Sequence, residues 1–266
     1  MRFLFAKRSV LNYSMLLLLR PLLVLICQVV LFLLLSSWEK TFIWWPFQMI
    51  LTNILCFIVL VLLLKSEKGK LSRIYLNPFP AGENRGRISG FLERRQYNCN
   101  ALNFVYDLFL VLMIFLVFGI PALKLVSVIG NQIQAEVEWM RFATLPVWAV
   151  YGITVLLPLT MPLVEVPWYF GYFFPKLESL FCRGNRGRTA AHLKAFLLTG
   201  MVFSVQHCFM PLLFSWDYIG WRSIMMLPII VVVGIVIRVI PRLTPFILII
   251  HGMMAIEVVL KYWNGI

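Results

Sequence analysis

The stretch IWWPFQMILTNILCFIVLVLLL, residues 43–64, contains no charged side chain and is followed directly by Lys65. As an α-helix, a stretch of about 22 residues extends roughly 33 Å, and the hydrocarbon core of a bilayer is about 30 Å thick. An uninterrupted apolar run of this length is typical of a helix that crosses a membrane. Residues 43–64 therefore predict a transmembrane helix.

Similar runs recur along the chain, which is 61% hydrophobic and only 13% charged and has a mean hydropathy of +0.88. This composition excludes an ordinary soluble globular protein. We predict an all-α, polytopic membrane helix bundle that forms one domain, residues 1–266. Residues 1–100 hold the first membrane helices and a basic cytoplasmic loop, and residues 3–19 are either an interfacial helix or part of an eighth membrane element. The seven predicted spans are 21–37, 43–64, 101–121, 143–174, 195–214, 223–240 and 243–260.

Basic residues give the chain a net charge of +13 and a predicted orientation. Most of the 24 Lys and Arg residues lie on alternate polar segments, which places the N-terminus in the cytoplasm by the positive-inside rule. These loops lack a nucleic-acid-binding motif, so we expect them to contact anionic lipid headgroups and no nucleic acid. The compact chain favours a bacterial inner membrane, with the endoplasmic reticulum as the alternative.

Three ionisable residues, Glu165, His207 and His251, lie within predicted spans. Titratable side chains are costly in a membrane and mark functional sites. Counted from the predicted cytoplasmic ends of their helices, all three lie roughly 13–18 Å into the membrane. Each one alone is also compatible with structural hydrogen bonding, but their coincidence at one level favours acid–base chemistry. Arg20, by contrast, is expected to extend to the membrane interface, and Asp107 has no evident partner.

The sequences around these three residues resemble the motifs of one enzyme family. EVPWYFGYFFPKLE, residues 165–178, resembles the EExxxR-containing signature of the CPBP family, which includes CAAX proteases and bacteriocin-processing enzymes. FSVQHCFMPLLF, residues 203–214, resembles the FxxxH pattern of this family, and LTPFILIIHGMMAIE, residues 243–257, resembles its third motif, HxxxN or HxxxD. The motifs follow the family order, so residues 160–260 resemble the catalytic core of a CPBP protease.

This resemblance implies an intramembrane glutamic endopeptidase that requires no cofactor. Glu165 would activate a water molecule, and His207 and His251 would hold that water or stabilise the developing oxyanion. The substrate would be a peptide or a protein segment near the cytoplasmic face, with or without a lipid anchor.

The chain departs from the family pattern at three positions. Val166 replaces the second glutamate, Phe170 the arginine, and Ala255 the asparagine or aspartate. Polar groups at such positions orient the reacting residues, and their loss weakens positioning. Ser204 and Thr244 are candidate substitutes.

Three alternatives to a metal-free protease stay open. The apolar replacements favour a catalytically inactive CPBP-like scaffold that binds another membrane protein. A small transporter is less compatible, since no inverted repeat is visible. A zinc site on Glu165, His207 and His251 is chemically feasible, although the chain lacks HExxH and CxxC motifs.

Overall fold

The computed structural model describes residues 9–76, 78–79, 101–122, 124–125, 128, 145–182 and 188–263. Within these residues the protein is helical and has no β-strand beyond an isolated bridge between Phe209 and Leu212. The α-helices are α1 (Val10–Leu17), α2 (Leu19–Leu35), α3 (Trp38–Ile43), α4 (Trp45–Ser66), α5 (Leu71–Leu76), α6 (Ala101–Ile114), α7 (Val147–Val166), α8 (Phe174–Cys182), α9 (Arg188–Val205), α10 (Trp216–Met225), α11 (Leu227–Val239) and α12 (Thr244–Trp263). The predicted all-α class is confirmed.

Six of the described helical segments are long and apolar enough to cross a membrane, which indicates an integral membrane protein. They differ in number and bounds from the seven predicted spans. The six segments are Val10–Leu35, Trp45–Ser66, Asn103–Ala122, Val147–Cys182, Trp216–Val239 and Pro241–Leu260.

Two predicted elements differ from the structure. The first span begins at Val10, because α1 and α2 form one continuous apolar segment, so most of residues 3–19 belong to that span. The predicted span 195–214 is not one membrane helix. Its α-helix, α9, begins earlier with His192 and Lys194 in its first turns and ends at Val205. The chain then forms a 3-10 turn, Gln206–Cys208, and Pro211 lacks the N–H that a longer helix would require.

Prolines shape the long segment that carries Glu165. α7 contains Pro158 and Pro162 and passes into a π-helical turn, Pro167–Phe173, before α8 begins. Because Pro167 has no backbone N–H, it cannot donate to the carbonyl of Leu163 four residues earlier. The hydroxyl of Tyr75 on α5 donates to that carbonyl instead, and burial raises the pKa of Tyr75 to about 12. A side chain from another helix thus stabilises the irregular turn after Glu165.

The long segment lies at the centre of the bundle. α4 and α12 both pack along α7, and α8 packs on α9. Gly252 permits the close approach of α12, since a Cβ atom there would lie 3.1 Å from the carbonyl oxygen of Pro158. This contact is one residue from His251, so the packing of α12 on α7 positions His251 near Glu165.

Candidate functional site

The carboxylate of Glu165, at the end of α7, is completely buried and hydrogen-bonded on both oxygens. Its Oε1 accepts hydrogen bonds from Arg20 Nη1 at 3.0 Å and from Gln206 Nε2 at 2.5 Å. Its Oε2 lies 2.8 Å from His251 Nε2. A buried carboxylate needs such partners, since an unpaired one is very costly.

Arg20 corrects a prediction made from the sequence. It does not extend to the interface: its side chain is completely buried and forms an ion pair with Glu165. Its Nη1 also donates to Gln206 Oε1, and its Nη2 donates to Asn53 Oδ1 at 2.8 Å. The guanidinium therefore connects α2 and α4 to the end of α7 and neutralises the charge of the carboxylate.

Gln206 and Tyr169 complete the network around the ion pair. The Tyr169 hydroxyl donates to Gln206 Oε1 at 2.7 Å, and the guanidinium of Arg20 lies 5.8 Å from the centre of the Tyr169 ring. The amide oxygen of Gln206 thus faces two donors while its nitrogen faces the Glu165 carboxylate, which fixes the amide orientation. All of these side chains are completely buried.

His251 and Glu165, which the sequence predicts at one level, are in direct contact in the structure. The Glu165 carboxylate can only accept in its ionised form, so His251 Nε2 donates the hydrogen bond. In the neutral imidazole this leaves Nδ1 as the acceptor. The side chain of His251 is 12% exposed, in contrast to Glu165, so only the histidine of this pair is accessible from outside.

His207 lies within electrostatic range of Glu165 but does not form a hydrogen bond with it. Its Nδ1 lies 2.9 Å from the carbonyl oxygen of Phe203, which can only accept, so Nδ1 carries the proton. Arg222 on α10 donates to the backbone carbonyls of His207, at 3.1 Å, and of Met210. These bonds hold the 3-10 turn. Because Nδ1 carries the proton, His207 Nε2 is an acceptor in the neutral ring.

The apolar replacements at the family positions are packed in the core. Val166, Phe170 and Ala255 are all at most 3% exposed. The ring of Phe170 packs edge-on against Phe203, with 5.9 Å between the ring centres. These side chains supply no polar group to the site.

The candidate substitutes do not contact the site either. The Ser204 hydroxyl donates to the carbonyl of Ser223, and the Thr244 hydroxyl donates to the carbonyl of Pro241. The expectation that Ser204 or Thr244 orients the histidines is therefore wrong. Arg20 and Gln206 hold Glu165 instead.

An apolar pocket lies beside His251, between α6, α11 and α12. It contains about 650 Å³ of space not filled by atoms, part of it open to the outside of the bundle. Its walls include Ile114, Val166, Val233 and His251, and nearly all of its lining is apolar. The outer wall is formed by the Asn103–Ala122 segment, which is mostly exposed at the bundle periphery. His251 therefore connects the buried charge network with an apolar cavity.

The described residues show no group of three or more His, Cys, Asp or Glu side chains that could hold a metal ion. The Glu165–His251 contact has the length of a hydrogen bond, and Arg20 occupies the other carboxylate oxygen. This arrangement does not fit the zinc alternative. Asp107, which has no evident partner in the sequence, lies 3.1 Å from Arg242.

Sequence reasoning missed Arg20, Asn53, Tyr169 and Gln206. A signal was available for Arg20, since an arginine ten residues into an apolar segment requires a partner. For Gln206 and Asn53 the sequence offers only polar residues on apolar helices, which are common interhelical contacts.

No family model, no curated protein and no solved structure matches this chain.

Proposed function

We propose that this protein is an intramembrane endopeptidase of the CPBP type, in which Glu165 and His251 together activate the water that hydrolyses a peptide bond. The observation that supports it is the 2.8 Å contact between Glu165 Oε2 and His251 Nε2, in a buried network that borders an apolar pocket. The ordered resemblance of the three motifs supports the same reaction.

The contacts favour a division of roles within the pair. The Glu165 carboxylate is completely buried and already accepts three hydrogen bonds, so it is poorly placed to take a proton from water itself. The His251 side chain is partly exposed, and its Nε2–H is held by the carboxylate, which leaves Nδ1 as the acceptor of the neutral ring. A carboxylate that orients an imidazole and stabilises the imidazolium is the arrangement found in Ser-His-Asp triads. We therefore assign the proton transfer to His251 and its orientation to Glu165.

The reaction then follows from these positions. His251 Nδ1 takes a proton as the water oxygen bonds to the peptide carbonyl carbon, and the carbonyl oxygen becomes an oxyanion. His207 Nε2, an acceptor when the ring is neutral, holds the second hydrogen of the water. When the carbon–nitrogen bond breaks, the His251 imidazolium returns its proton to the leaving amine.

The pocket suits a substrate that reaches the site from the bilayer or from the cytoplasmic face. An apolar peptide segment, with or without a lipid anchor, is compatible with its lining, and the peripheral Asn103–Ala122 segment forms the barrier between pocket and lipid. With the N-terminus in the cytoplasm, as the basic loops predict, α1 begins on the cytoplasmic side. A bacterial inner membrane fits this orientation.

Turnover of a fluorogenic, membrane-partitioning peptide library by the purified protein tests the proposal. Glu165→Gln and His251→Gln are each expected to lower turnover by about 10²- to 10⁴-fold, the usual contribution of general acid–base groups. Glu178→Gln is the matched control, because Glu178 is also buried and ion-paired, with Arg238 at 2.9 Å. A chelator is expected to have no effect. Equal activity of wild type and Glu165→Gln contradicts the proposal.

A second candidate function is a membrane scaffold without catalysis. Its specific support is the Arg20–Glu165 ion pair, which can serve as a purely structural link between helices, together with the packed Val166, Phe170 and Ala255. A folded wild type that cleaves no member of the library, and that copurifies with one membrane protein bound at the pocket between α6, α11 and α12, favours the scaffold.

A further inference from the structure

A row of buried polar side chains runs along the interface between α2 and α4. On α2, Arg20 and Gln28 are separated by eight residues and lie on one face with Val24 between them. On α4, Gln48, Thr52 and Asn53 face inward. Every polar member of this row is at most 3% exposed, which is unusual for helices that otherwise present apolar side chains.

Two contacts fix how the helices are aligned. Arg20 Nη2 donates to Asn53 Oδ1 at 2.8 Å, and Gln48 Nε2 donates to the carbonyl of Val24 at 2.7 Å. The two helices are therefore antiparallel here: Arg20 lies beside Asn53, and Val24 lies beside Gln48. Gln28 lies one turn beyond Val24 on α2. At 1.5 Å per residue the row extends about 12 Å from Arg20 to Gln28. Its inner end is the residue that binds Glu165.

Several side-chain atoms in this row that can form hydrogen bonds have no partner in the part of the chain that the structure describes. Among the described residues, both amide atoms of Gln28, the Oε1 of Gln48 and the Oγ1 of Thr52 have no partner. Inside a membrane such atoms are costly, and native proteins bind them to ordered water. An amide nitrogen, two amide oxygens and a hydroxyl provide both donors and acceptors, which is the set that bridging waters require.

We propose that a chain of water molecules occupies the α2–α4 interface. It connects the hydrogen-bond network around Glu165 with bulk solvent at the end of α2, near Ser36. We place the outer end of the water chain near Ser36, because Ser36 is exposed and lies two turns beyond Gln28 on the same helix. The apolar pocket beside His251, which no residue of α2 or α4 lines, offers almost no polar lining to carry water. The site therefore has two separate approaches, an apolar one through the pocket and an aqueous one along this row.

The role of this water rests on the proposed function: hydrolysis beside the Glu165–His251 pair consumes water, which the row would supply. The binding of water does not rest on it. Hydration can be measured in an enzyme that is inactive toward every peptide tested.

Radiolytic hydroxyl-radical footprinting of the full-length protein in lipid nanodiscs tests the proposal, with mass spectrometry as the readout. Radicals formed from internal water oxidise neighbouring sulfur side chains. The reporters are Met49 and Cys27, which adjoin Gln48 and Gln28 and are 0% and 8% exposed. Rapid mixing with H₂¹⁸O before the pulse is expected to yield ¹⁸O-labelled Met49 and Cys27. Trp216, which is 88% exposed at the first residue of the Trp216–Val239 segment, is the positive control. Met253, which is 61% exposed in the middle of the Pro241–Leu260 segment, measures radicals that arrive through the bilayer.

Unmodified Met49 and Cys27, beside modified Trp216, overturn the proposal. Oxidation that carries only ¹⁶O also overturns it, because the water is then trapped and not connected to solvent. Oxidation no greater than that of Met253 has the same meaning, since radicals from the lipid side would explain it.

Gln28→Leu sharpens the test, with Val29→Leu on the lipid-facing side of the same turn as its control. In a hydrated row, Gln28→Leu is expected to lower Met49 oxidation several-fold without raising the midpoint of thermal unfolding. In a dry row, the same change removes two unsatisfied polar atoms and raises the midpoint, which overturns the proposal. If Gln28→Leu does not fold, the wild-type ¹⁸O labelling decides.

Discussion

Two ion pairs in this protein, one at the bundle centre and one at the end of α4, differ in burial far more than in length. Arg20 and Glu165 are 3.0 Å apart and both side chains are fully buried. Lys176 and Glu67 are closer, at 2.7 Å, but Lys176 is 42% exposed and Glu67 is 18% exposed. Distance alone would rank the second pair as stronger.

Burial reverses that ranking. In the low-dielectric interior a charge without its partner is highly destabilising, whereas an exposed pair is screened by solvent. Glu67 also has hydrogen bonds from Tyr13 at 2.8 Å and Tyr172 at 2.7 Å, so losing Lys176 leaves it with partners. The Arg20–Glu165 pair is therefore expected to be indispensable and the Lys176–Glu67 pair replaceable. Changes at Arg20 and Glu67 test this contrast, and a change at Gly252 tests the helix contact that positions His251.

The largest effect is expected at Arg20. Arg20→Met leaves the Glu165 carboxylate buried without its cation, and removing one partner of a buried pair costs about 3–5 kcal/mol of unfolding free energy. The double variant with Arg20→Met and Glu165→Met removes both charges and is expected to recover most of this loss. Unfolding in detergent by denaturant titration measures both. A single variant as stable as wild type would show that the pair contributes little to the fold.

An intermediate effect is expected at Gly252. The Cβ atom of Gly252→Ala would lie 3.1 Å from the Pro158 carbonyl oxygen and 3.3 Å from Pro162 Cγ, so α12 must shift by a few tenths of an ångström. Because misplacement by 1 Å can cost about 10²-fold in rate, peptide turnover in the proposed reaction is expected to fall by about tenfold. Gly220→Ala is the control, since its Cβ would meet no atom within 4 Å. Unchanged turnover in Gly252→Ala would show that this helix contact does not determine the position of His251.

The smallest effect is expected at Glu67. Burial alone would raise the pKa of Glu67, but hydrogen bonds from Lys176, Tyr172 and Tyr13 and the charge of Lys176 lower it below its ordinary value. A lowered pKa in the folded state stabilises the protein above the unfolded pKa, and this contribution is lost as the pH falls through the folded value. Because the pair is partly exposed, Glu67→Gln is expected to cost at most about 1 kcal/mol at pH 7.

The pH dependence provides the check on Glu67. The difference in unfolding midpoint between wild type and Glu67→Gln is expected to shrink as the pH is lowered from 7 into the acidic range below the ordinary glutamate pKa. A difference that grows on acidification would contradict the sign of the pKa shift.

The positions of the two histidines show which parts of the site could be predicted from the sequence. His251 lies on a regular helix, so counting residues from the helix end placed it at the level of Glu165, and the structure has them in contact. His207 does not lie on the predicted α-helix but on a 3-10 turn that Arg222 holds through backbone carbonyls. Counting along a helix fails where the helix ends, and the residue that reaches Glu165 from this turn is the neighbouring Gln206.

The sequence by itself determined the all-α membrane class, because apolar runs of bilayer length can satisfy their backbone groups in lipid only as helices. It also singled out Glu165, His207 and His251, because a titratable side chain in such a run is conspicuous whatever its neighbours are. Only the tertiary structure decided which groups surround Glu165, where the first span begins and where α9 ends. Arg20 and Glu165 are 145 residues apart in the chain. No local pattern encodes such a contact, which arises only when α2, α4 and α7 pack together.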